Sequence, residues 1–158
     1  MALKLDMSKA FDKMEWGCLQ DIMHKIGFDK KWVNLMMQCV TSVTYSVKLN
    51  SKPHGHIIPS RCLRQGDPIS PFLFLFCAER LSSLLQQATA TGLLKGVATC
   101  PLNPQISHIF FSDDSIILCQ ATWEDCSHLE QILETYEHAS EQKINREKTS
   151  LFFNRNTT

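Results

Sequence analysis

The stretch IFFSDDSIIL, residues 109–118, places two adjacent acidic residues between two short, strongly apolar runs. The pattern predicts a β-hairpin, with strands at 109–111 and 116–118 and a polar turn at 112–115. Two neighbouring carboxylates repel each other by about 4 kcal/mol at ~4 Å and a surface-like dielectric constant. Either the two acids lie in a simple solvated turn, or they belong to a metal site. A metal site needs further carboxylates from elsewhere in the chain.

A third acid follows another short apolar segment, in the stretch LKLDMSKAFD at residues 3–12. Residues 2–5 are predicted to form a strand, so Asp6 lies at a strand end, where the sheet holds the backbone rigidly. A carboxylate in that position can meet Asp113 and Asp114 at the tip of the hairpin. Three converging carboxylates can hold two Mg²⁺ ions for phosphoryl transfer. Spacing alone does not select this trio, because the chain contains 16 Asp and Glu residues.

The composition is that of an ordinary globular domain, with 44% hydrophobic and 20% charged residues in a chain of 158. No run approaches the ~18 apolar residues of a membrane span, and the charged N-terminal segment lacks a secretory signal. The seven cysteines are irregularly spaced, which favours reduced thiols over disulfides or a zinc site. We therefore expect an intracellular protein, nuclear or cytoplasmic, with no targeting signal and no membrane partner.

The net charge of zero hides an asymmetry between the two parts of the chain. Residues 1–64 contain ten Lys and Arg against five acids, whereas residues 65–158 contain six against eleven. A basic half could face phosphates while an acidic half gathers cations. Alternatively, the charges are simply solvated on unrelated faces. Overall neutrality argues against a chain that binds nucleic acid strongly by itself.

Periodicity and capping signals predict helices joined to short strands, without a regular βαβ alternation. This order favours an α+β fold with a mainly antiparallel sheet packed against helices. The predicted elements are a helix capped by Asp12 and ending at Gly27, a helix capped by Asp29, strands at 42–49 and 56–59 around a turn at 50–55, a helix over 70–90 capped by Ser70, a helix capped by Thr122, and a strand at 151–153.

Four blocks occur in a characteristic order, namely LDMSKAFDKMEW (5–16), LRQGDPISPFLF (63–74), FFSDDSIIL (110–118) and INREKTS (144–150). Together they resemble the palm of reverse transcriptases, most of all those of non-LTR, LINE-type retrotransposons of plants. The resemblance covers residues 3–153. It implies a polymerase palm fold and an RNA-directed DNA polymerase, which transfers a nucleotide from a dNTP to a primer 3′-hydroxyl on an RNA template.

The resemblance also implies a catalytic set. Asp6 and Asp113 match the metal-binding aspartates, and Asp114 matches the third acid of the double-aspartate turn. The implied cofactor is a pair of Mg²⁺ ions, with Mn²⁺ able to substitute. Lys148 matches a lysine thought to donate a proton near the pyrophosphate leaving group, although a simply solvated lysine is the alternative.

Four further residues match positions that contact the nucleotide and template. Phe11 matches the aromatic steric gate beneath the sugar of the incoming nucleotide, and its alternative is a core phenylalanine. Gln65 and Gly66 match the segment that contacts nucleotide and template. They also read as a turn before a helix that begins with proline, and the two roles are compatible. Arg64 beside them is a candidate phosphate partner.

Three residues depart from the family pattern. Ser112 stands where alanine is usual before the two aspartates, and Cys62 and Glu141 stand where glycine is common. If the glycine that Glu141 replaces requires a positive φ, glutamate strains the turn. None of the three departures falls on a predicted metal ligand.

The resemblance is to palm motifs alone, so residues 1–158 are expected to be a partial reverse transcriptase domain without fingers and thumb. The implied partners are an RNA template, a DNA primer, dNTPs and the fingers and thumb segments of a parent polyprotein. One alternative is a catalytically inactive retrotransposon remnant or nucleic-acid-binding module. Another is a metal-dependent nuclease or phosphatase, which leaves the blocks around Gln65 and Lys148 unexplained.

Overall fold

The computed structural model describes residues 1–98, 104–111 and 114–154. In these ranges one pair of consecutive helices and two hairpins interrupt any regular alternation of strands and helices. The elements are β1 (Ala2–Leu5), α1 (Trp16–Ile26), α2 (Lys30–Thr41), β2 (Tyr45–Leu49), β3 (Lys52–Ile57), α3 (Ser70–Ala90), β4 (His108–Phe111), β5 (Asp114–Leu118), α4 (Trp123–Ser140) and β6 (Ser150–Phe152).

The main sheet has the strand order β4-β5-β1-β6, and every neighbouring pair in it is antiparallel. Its inner face follows the alternation of the strands, since Leu3 and Leu5 of β1 and Ile117 of β5 are buried. These side chains pack with Leu85 of α3 and Leu129 of α4. The predicted α+β fold, an antiparallel sheet packed against helices, is confirmed.

A second core lies between α1, α2 and the first half of α3. Leu19, Met23, Val33 and Leu73 are buried there. The long helix α3 therefore contributes to both cores and joins the sheet to the helical part. None of the helices in the described ranges is long and apolar enough to cross a membrane.

Several predicted helix ends are confirmed because they depend on local chemistry. Gly27 ends α1 with a φ of 98°, a left-handed conformation that glycine adopts at little cost. The Asp29 carboxylate accepts a hydrogen bond from the Lys31 amide at 2.8 Å at the start of α2. The Thr122 hydroxyl accepts one from the Asp125 amide at 3.2 Å at the start of α4. Each cap satisfies an amide that the helix leaves unpaired.

Two predicted N-caps are wrong. Asp12 does not cap α1, which begins only at Trp16. The segment before α1 is instead held by tertiary hydrogen bonds, such as that from the Leu63 amide to the Phe11 carbonyl at 2.8 Å. Ser70 is the first residue of α3 rather than its cap.

Both predicted hairpin turns are too long. The register of β2 and β3 pairs Leu49 with Lys52, so the turn is only Asn50–Ser51, and the return strand is at 52–57 rather than 56–59. The register of β4 and β5 pairs Phe111 with Asp114, so Asp114 is the first residue of a strand and not part of a turn. Polar residues that read as turn chemistry thus continue as exposed strand.

The two positions where glycine is common in the family both have positive φ. Cys62 has a φ of 107° and Glu141 has a φ of 57° at the C-terminal end of α4. Residues with a Cβ adopt this region at a cost of about 1–3 kcal/mol each. The positive φ on which the expected strain at Glu141 depends is therefore present, and Cys62 shares it.

We expect Cys62→Gly to stabilise the chain by about 1 kcal/mol. The backbone at Cys62 cannot relax, because its amide donates to the Met14 carbonyl at 2.9 Å and its carbonyl accepts from Trp16 Nε1 at 2.7 Å. Relief of strain outweighs the added entropy of glycine in the unfolded chain, ~0.4–1 kcal/mol. Urea unfolding measures the change. Cys39→Gly, on the exposed side of α2, is the control and should destabilise by roughly 0.5 kcal/mol. Equal changes in the free energy of unfolding of the two variants would contradict the prediction that the backbone at position 62 is strained.

Candidate active site

The antiparallel pairing of β1 with β5 decides what Asp6 faces. The register pairs Lys4 with Ile116 and Leu5 with Ser115. Asp6 directly follows Leu5 and Asp114 directly precedes Ser115, so extending the register by one step would place Asp6 level with Asp114. Directly opposed residues in antiparallel strands have Cβ atoms about 4.5–5.5 Å apart. The structure therefore brings two of the three predicted acids to the same end of the sheet.

Asp114 has a cationic neighbour that the sequence patterns did not predict for the site. The ammonium of Lys4 lies 3.2 Å from a carboxylate oxygen of Asp114, and the two side chains are 51% and 61% exposed. An ion pair this exposed contributes about 0–1 kcal/mol to stability. Its local effect is to supply one positive charge beside the Asp114 carboxylate. The strand alternation, which puts Lys4 and Asp6 on one face, is the signal that could have identified it.

The block that contains Lys148 is hydrogen-bonded to the backbone of Asp6. The Asn145 amide donates to the Asp6 carbonyl at 2.8 Å, and the Asp6 amide donates to the Thr149 hydroxyl at 3.4 Å. Lys148 lies between these two contacts in the chain. Backbone contacts thus fix the segment 144–150 beside Asp6. The Lys148 side chain of this segment is exposed to solvent.

Phe11 belongs to a second group of predicted residues. Its ring stacks on Phe74 of α3, with centroids 5.1 Å apart and an angle of 26° between the rings. Phe11 is only half-buried against the helical core. Core packing, the alternative interpretation of Phe11, therefore holds for one side of the ring, and the contact fixes the ring's orientation.

The segment that contains Arg64, Gln65 and Gly66 lies next to Phe11. The Leu63 amide, which is bonded to the Phe11 carbonyl, directly precedes it. All three residues are exposed, and Gly66 has a φ of 83°. This turn before α3 is the predicted one, and its left-handed residue favours glycine over any residue with a Cβ.

An open cleft lies beside this turn. It is lined by Asp12, Tyr45, Cys62, Leu63, Arg64 and Gln65. The Tyr45 hydroxyl is 3.8 Å from the Cys62 sulfur. Desolvation and this thiol raise the pKa of Tyr45 above its ordinary value, so the hydroxyl remains a neutral hydrogen-bonding group at physiological pH. Tyr45 and Asp12 thus line the cleft, although the sequence patterns predicted neither as a site residue.

The two groups of predicted residues, the acids near Asp6 and the residues near Phe11, are close along the chain. Phe11 lies five positions after Asp6, and an extended chain spans at most ~3.3–3.6 Å per residue. Their Cα atoms are therefore no more than about 18 Å apart.

The carboxylates are compatible with a divalent metal ion. Asp6 is half-buried, and among the described residues none donates a hydrogen bond to its carboxylate. A half-buried carboxylate level with a second one suits a hard cation such as Mg²⁺. Asp113 lies outside the described residues, and within 1–98, 104–111 and 114–154 no three metal-ligating side chains come together.

Comparisons with known proteins agree on one family. The family model for "Reverse transcriptase (RNA-dependent DNA polymerase)" matches residues 1–157. An uncharacterized mitochondrial protein of Arabidopsis thaliana is 46% identical over 67 residues, which are 42% of this chain and 55% of that protein. The Pol polyprotein of the type-2 retrotransposable element R2DM of Drosophila melanogaster is 31% identical over 77 residues, 49% of this chain and 7% of that protein.

A third relative, the uncharacterized 149 kDa protein of transposon TX1 of Xenopus laevis, is 27% identical over 150 residues. The match covers 94% of this chain and 11% of that protein. The chain thus spans between 7% and 55% of the length of these three relatives.

Solved structures share the fold at low sequence identity. Telomerase from Candida albicans, solved with a fragment of telomeric RNA, has a TM-score of 0.68 and 14% identity over 99% of this chain and 27% of its own. The apo telomerase of Candida tropicalis has a TM-score of 0.70 and 14% identity over 99% of this chain and 31% of its own. The predicted polymerase palm fold is confirmed by this likeness.

Proposed function

Because this chain belongs to the reverse transcriptase (RNA-dependent DNA polymerase) family, we propose that it forms the palm of an RNA-directed DNA polymerase and contains its nucleotidyl-transfer site. The reaction is attack of a primer 3′-oxygen on the α-phosphate of a dNTP paired to an RNA template, with release of pyrophosphate. The observation that carries the proposal is the β1–β5 register, which, extended by one step, would place Asp6 level with Asp114. The Lys148 block is hydrogen-bonded beside the same residue.

Asp6, Asp113 and Asp114 would hold the metal ions. Two Mg²⁺ ions, or Mn²⁺ in their place, supply activation of the attacking oxygen and stabilisation of the leaving one. The half-buried Asp6 carboxylate, without a donor among the described residues, supports a metal ligand at that position. Lys4, paired with Asp114 at 3.2 Å, offsets the repulsion between the acids until a metal ion binds.

The second group of residues would bind the nucleotide and the template. Phe11, backed by Phe74, presents a fixed ring edge beneath the sugar and disfavours a 2′-hydroxyl. Arg64 pairs with a phosphate, and Gln65 and Gly66 contact the nucleotide and the template base. Their exposure in the cleft beside Phe11 supports these roles. Lys148 holds a proton for the departing pyrophosphate.

The proposed partners are an RNA template, a DNA primer, dNTPs, and fingers and thumb segments of a parent polyprotein. The relatives are much longer than this chain, which supports additional segments in the working polymerase. Polymerisation requires primer, template and triphosphate to be positioned together. A palm without the other segments would retain its acids but position its substrates poorly.

Primer extension on poly(rA)·oligo(dT) with dTTP tests the proposal. The chain is assayed by itself and within a longer polypeptide in which fingers and thumb segments flank it. We expect the longer polypeptide to extend the primer with Mg²⁺ or Mn²⁺ and to stop when EDTA is added. If the folded longer polypeptide extends nothing with either metal ion, the chain is an inactive remnant or a binding module. Degradation of single-stranded DNA without extension would instead identify a nuclease.

A further inference from the structure

The chain contains a long segment without any acidic residue. Between the acids Asp29 and Asp67, residues 30–66 include six Lys and Arg and no Asp or Glu. The chain as a whole is neutral, so this segment is a local concentration of positive charge. The segment forms α2, the hairpin of β2 and β3, and the turn that leads to Gln65.

The β2–β3 hairpin projects from the rest of the molecule. Among the described residues its two strands pair only with each other, in a sheet separate from the main one. Every residue from 46 to 57 is exposed, including Val47 at 58% and Leu49 at 59%. A two-stranded hairpin is only marginally stable in water, so a ligand that covers these apolar side chains would stabilise it.

One face of the hairpin combines apolar and cationic side chains. The register pairs Val47 with His54 and Leu49 with Lys52, and directly paired residues lie on the same face. This face offers aliphatic and imidazole surfaces on which bases can pack, with an ammonium for the phosphates. Lys48, which pairs with Pro53, adds a cation on the opposite face.

The base of the hairpin opens into the cleft of the candidate active site. Tyr45, the first residue of β2, lines that cleft together with Arg64 and Gln65. A strand lying along the hairpin would therefore continue directly to the residues proposed to contact the template base. Arg64 adds an exposed cation at the cleft end of the acid-free segment. Arg61 is already paired with Glu15 at 3.2 Å, and Asp12 also lines the cleft, so among the described residues the unpaired positive charge lies mainly on the hairpin lysines and Arg64.

We propose that the β2–β3 hairpin binds a single-stranded polynucleotide and guides it to the cleft beside Gln65. The inference rests on the proposed function for the identity of the strand, which would be the template approaching the site. Charge complementarity favours a polyanion over a protein partner, because the acid-free segment offers cations and no anion. Mixed aliphatic, imidazole and cationic side chains favour an unpaired strand over a duplex, whose bases are stacked inside.

Fluorescence anisotropy of labelled 20-mers tests the inference with the whole chain. The probes are an oligo(U) RNA, an oligo(dT) DNA and a 20-base-pair DNA duplex, in EDTA and without dNTPs, so binding does not depend on catalysis. The variant Lys48→Ala/Lys52→Ala is compared with Lys25→Ala/Lys95→Ala. Both remove two charges from exposed positions, but the control pair lies outside the acid-free segment.

We expect the hairpin variant to bind both single strands on the order of tenfold more weakly at ~50 mM salt, with a salt slope smaller by about 1.4, because each phosphate contact contributes ~0.7. The control variant should keep the slope of the unsubstituted chain. Tighter binding of RNA than of DNA identifies the RNA template as the occupant, and equal binding supports either single strand.

Three results would overturn the inference, and circular dichroism of the variants excludes unfolding as their cause. They are equal losses in the two variants, preference for the duplex, and no binding of either single strand by the unsubstituted chain. None of these three outcomes depends on polymerase activity. If primer extension is unchanged in the hairpin variant, the proposed function stands, but the hairpin does not guide the template during the reaction.

Discussion

Asp113→Asn is expected to lower the rate of DNA synthesis by a polymerase that contains this chain about 10³-fold, and Asp6→Asn is expected to do the same. Asparagine keeps the size of the side chain and one oxygen but removes the negative charge that holds a metal ion. Metal-ion catalysis contributes several kcal/mol to transition-state stabilisation. Since each 1.36 kcal/mol is tenfold in rate, a loss of ~4 kcal/mol lowers the rate about 10³-fold.

Single-turnover primer extension measures the loss, with dTTP on poly(rA)·oligo(dT) in Mg²⁺. Asp21→Asn is the matched control, because Asp21 is exposed on α1, away from the predicted acids. We expect this variant to extend primers at the unsubstituted rate. Full activity in either Asp113→Asn or Asp6→Asn would remove that residue from the metal site and, with it, the proposed arrangement of three acids.

Leu5→Ala is expected to cost about 3 kcal/mol of unfolding free energy, within the ~2–5 kcal/mol range for buried leucines. Leu5 is 1% exposed and packs in the core between the sheet and helices α3 and α4. Domains of this kind have a total stability of about 5–15 kcal/mol, so the loss is a large fraction. Because Leu5 directly precedes Asp6, the cavity also loosens the support of the metal-binding end of β1.

Urea unfolding followed by circular dichroism measures the change. Leu35→Ala, on the exposed side of α2 with Leu35 54% exposed, is the control and should change stability by no more than ~0.5 kcal/mol. If the two variants unfold at the same urea concentration, β1 is not the buried central strand that the structure describes.

The family and the fold could be predicted from the sequence because they are encoded in ordered blocks and periodic patterns. The family model matches residues 1–157, and retrotransposable elements and a plant protein are among the relatives. The predicted resemblance to non-LTR retrotransposon reverse transcriptases is therefore confirmed. The roles of the individual site residues stay predictions, including that of Asp113, which lies outside the described residues.

Local chemistry was predictable, and tertiary contacts were not. Gly27, Asp29 and Thr122 act within one helical turn of their own position, so their roles follow from residue type and spacing. Asp12 matched a capping pattern equally well. It does not cap α1, because the neighbouring backbone is hydrogen-bonded to residues about fifty positions away. No local pattern contains that information.

By itself the sequence determined the family, the element types and the set of candidate acids, because motif order and hydrophobic periodicity are properties of the chain. Only the tertiary structure decided that Asp6 lies at the same end of the sheet as Asp114, that Lys4 pairs with Asp114, and that the Lys148 block is bonded beside Asp6. The physical reason is strand register. Burial of Leu3, Leu5 and Ile117 on one face fixes the pairing of β1 with β5, since a slip of one residue would turn these side chains into water.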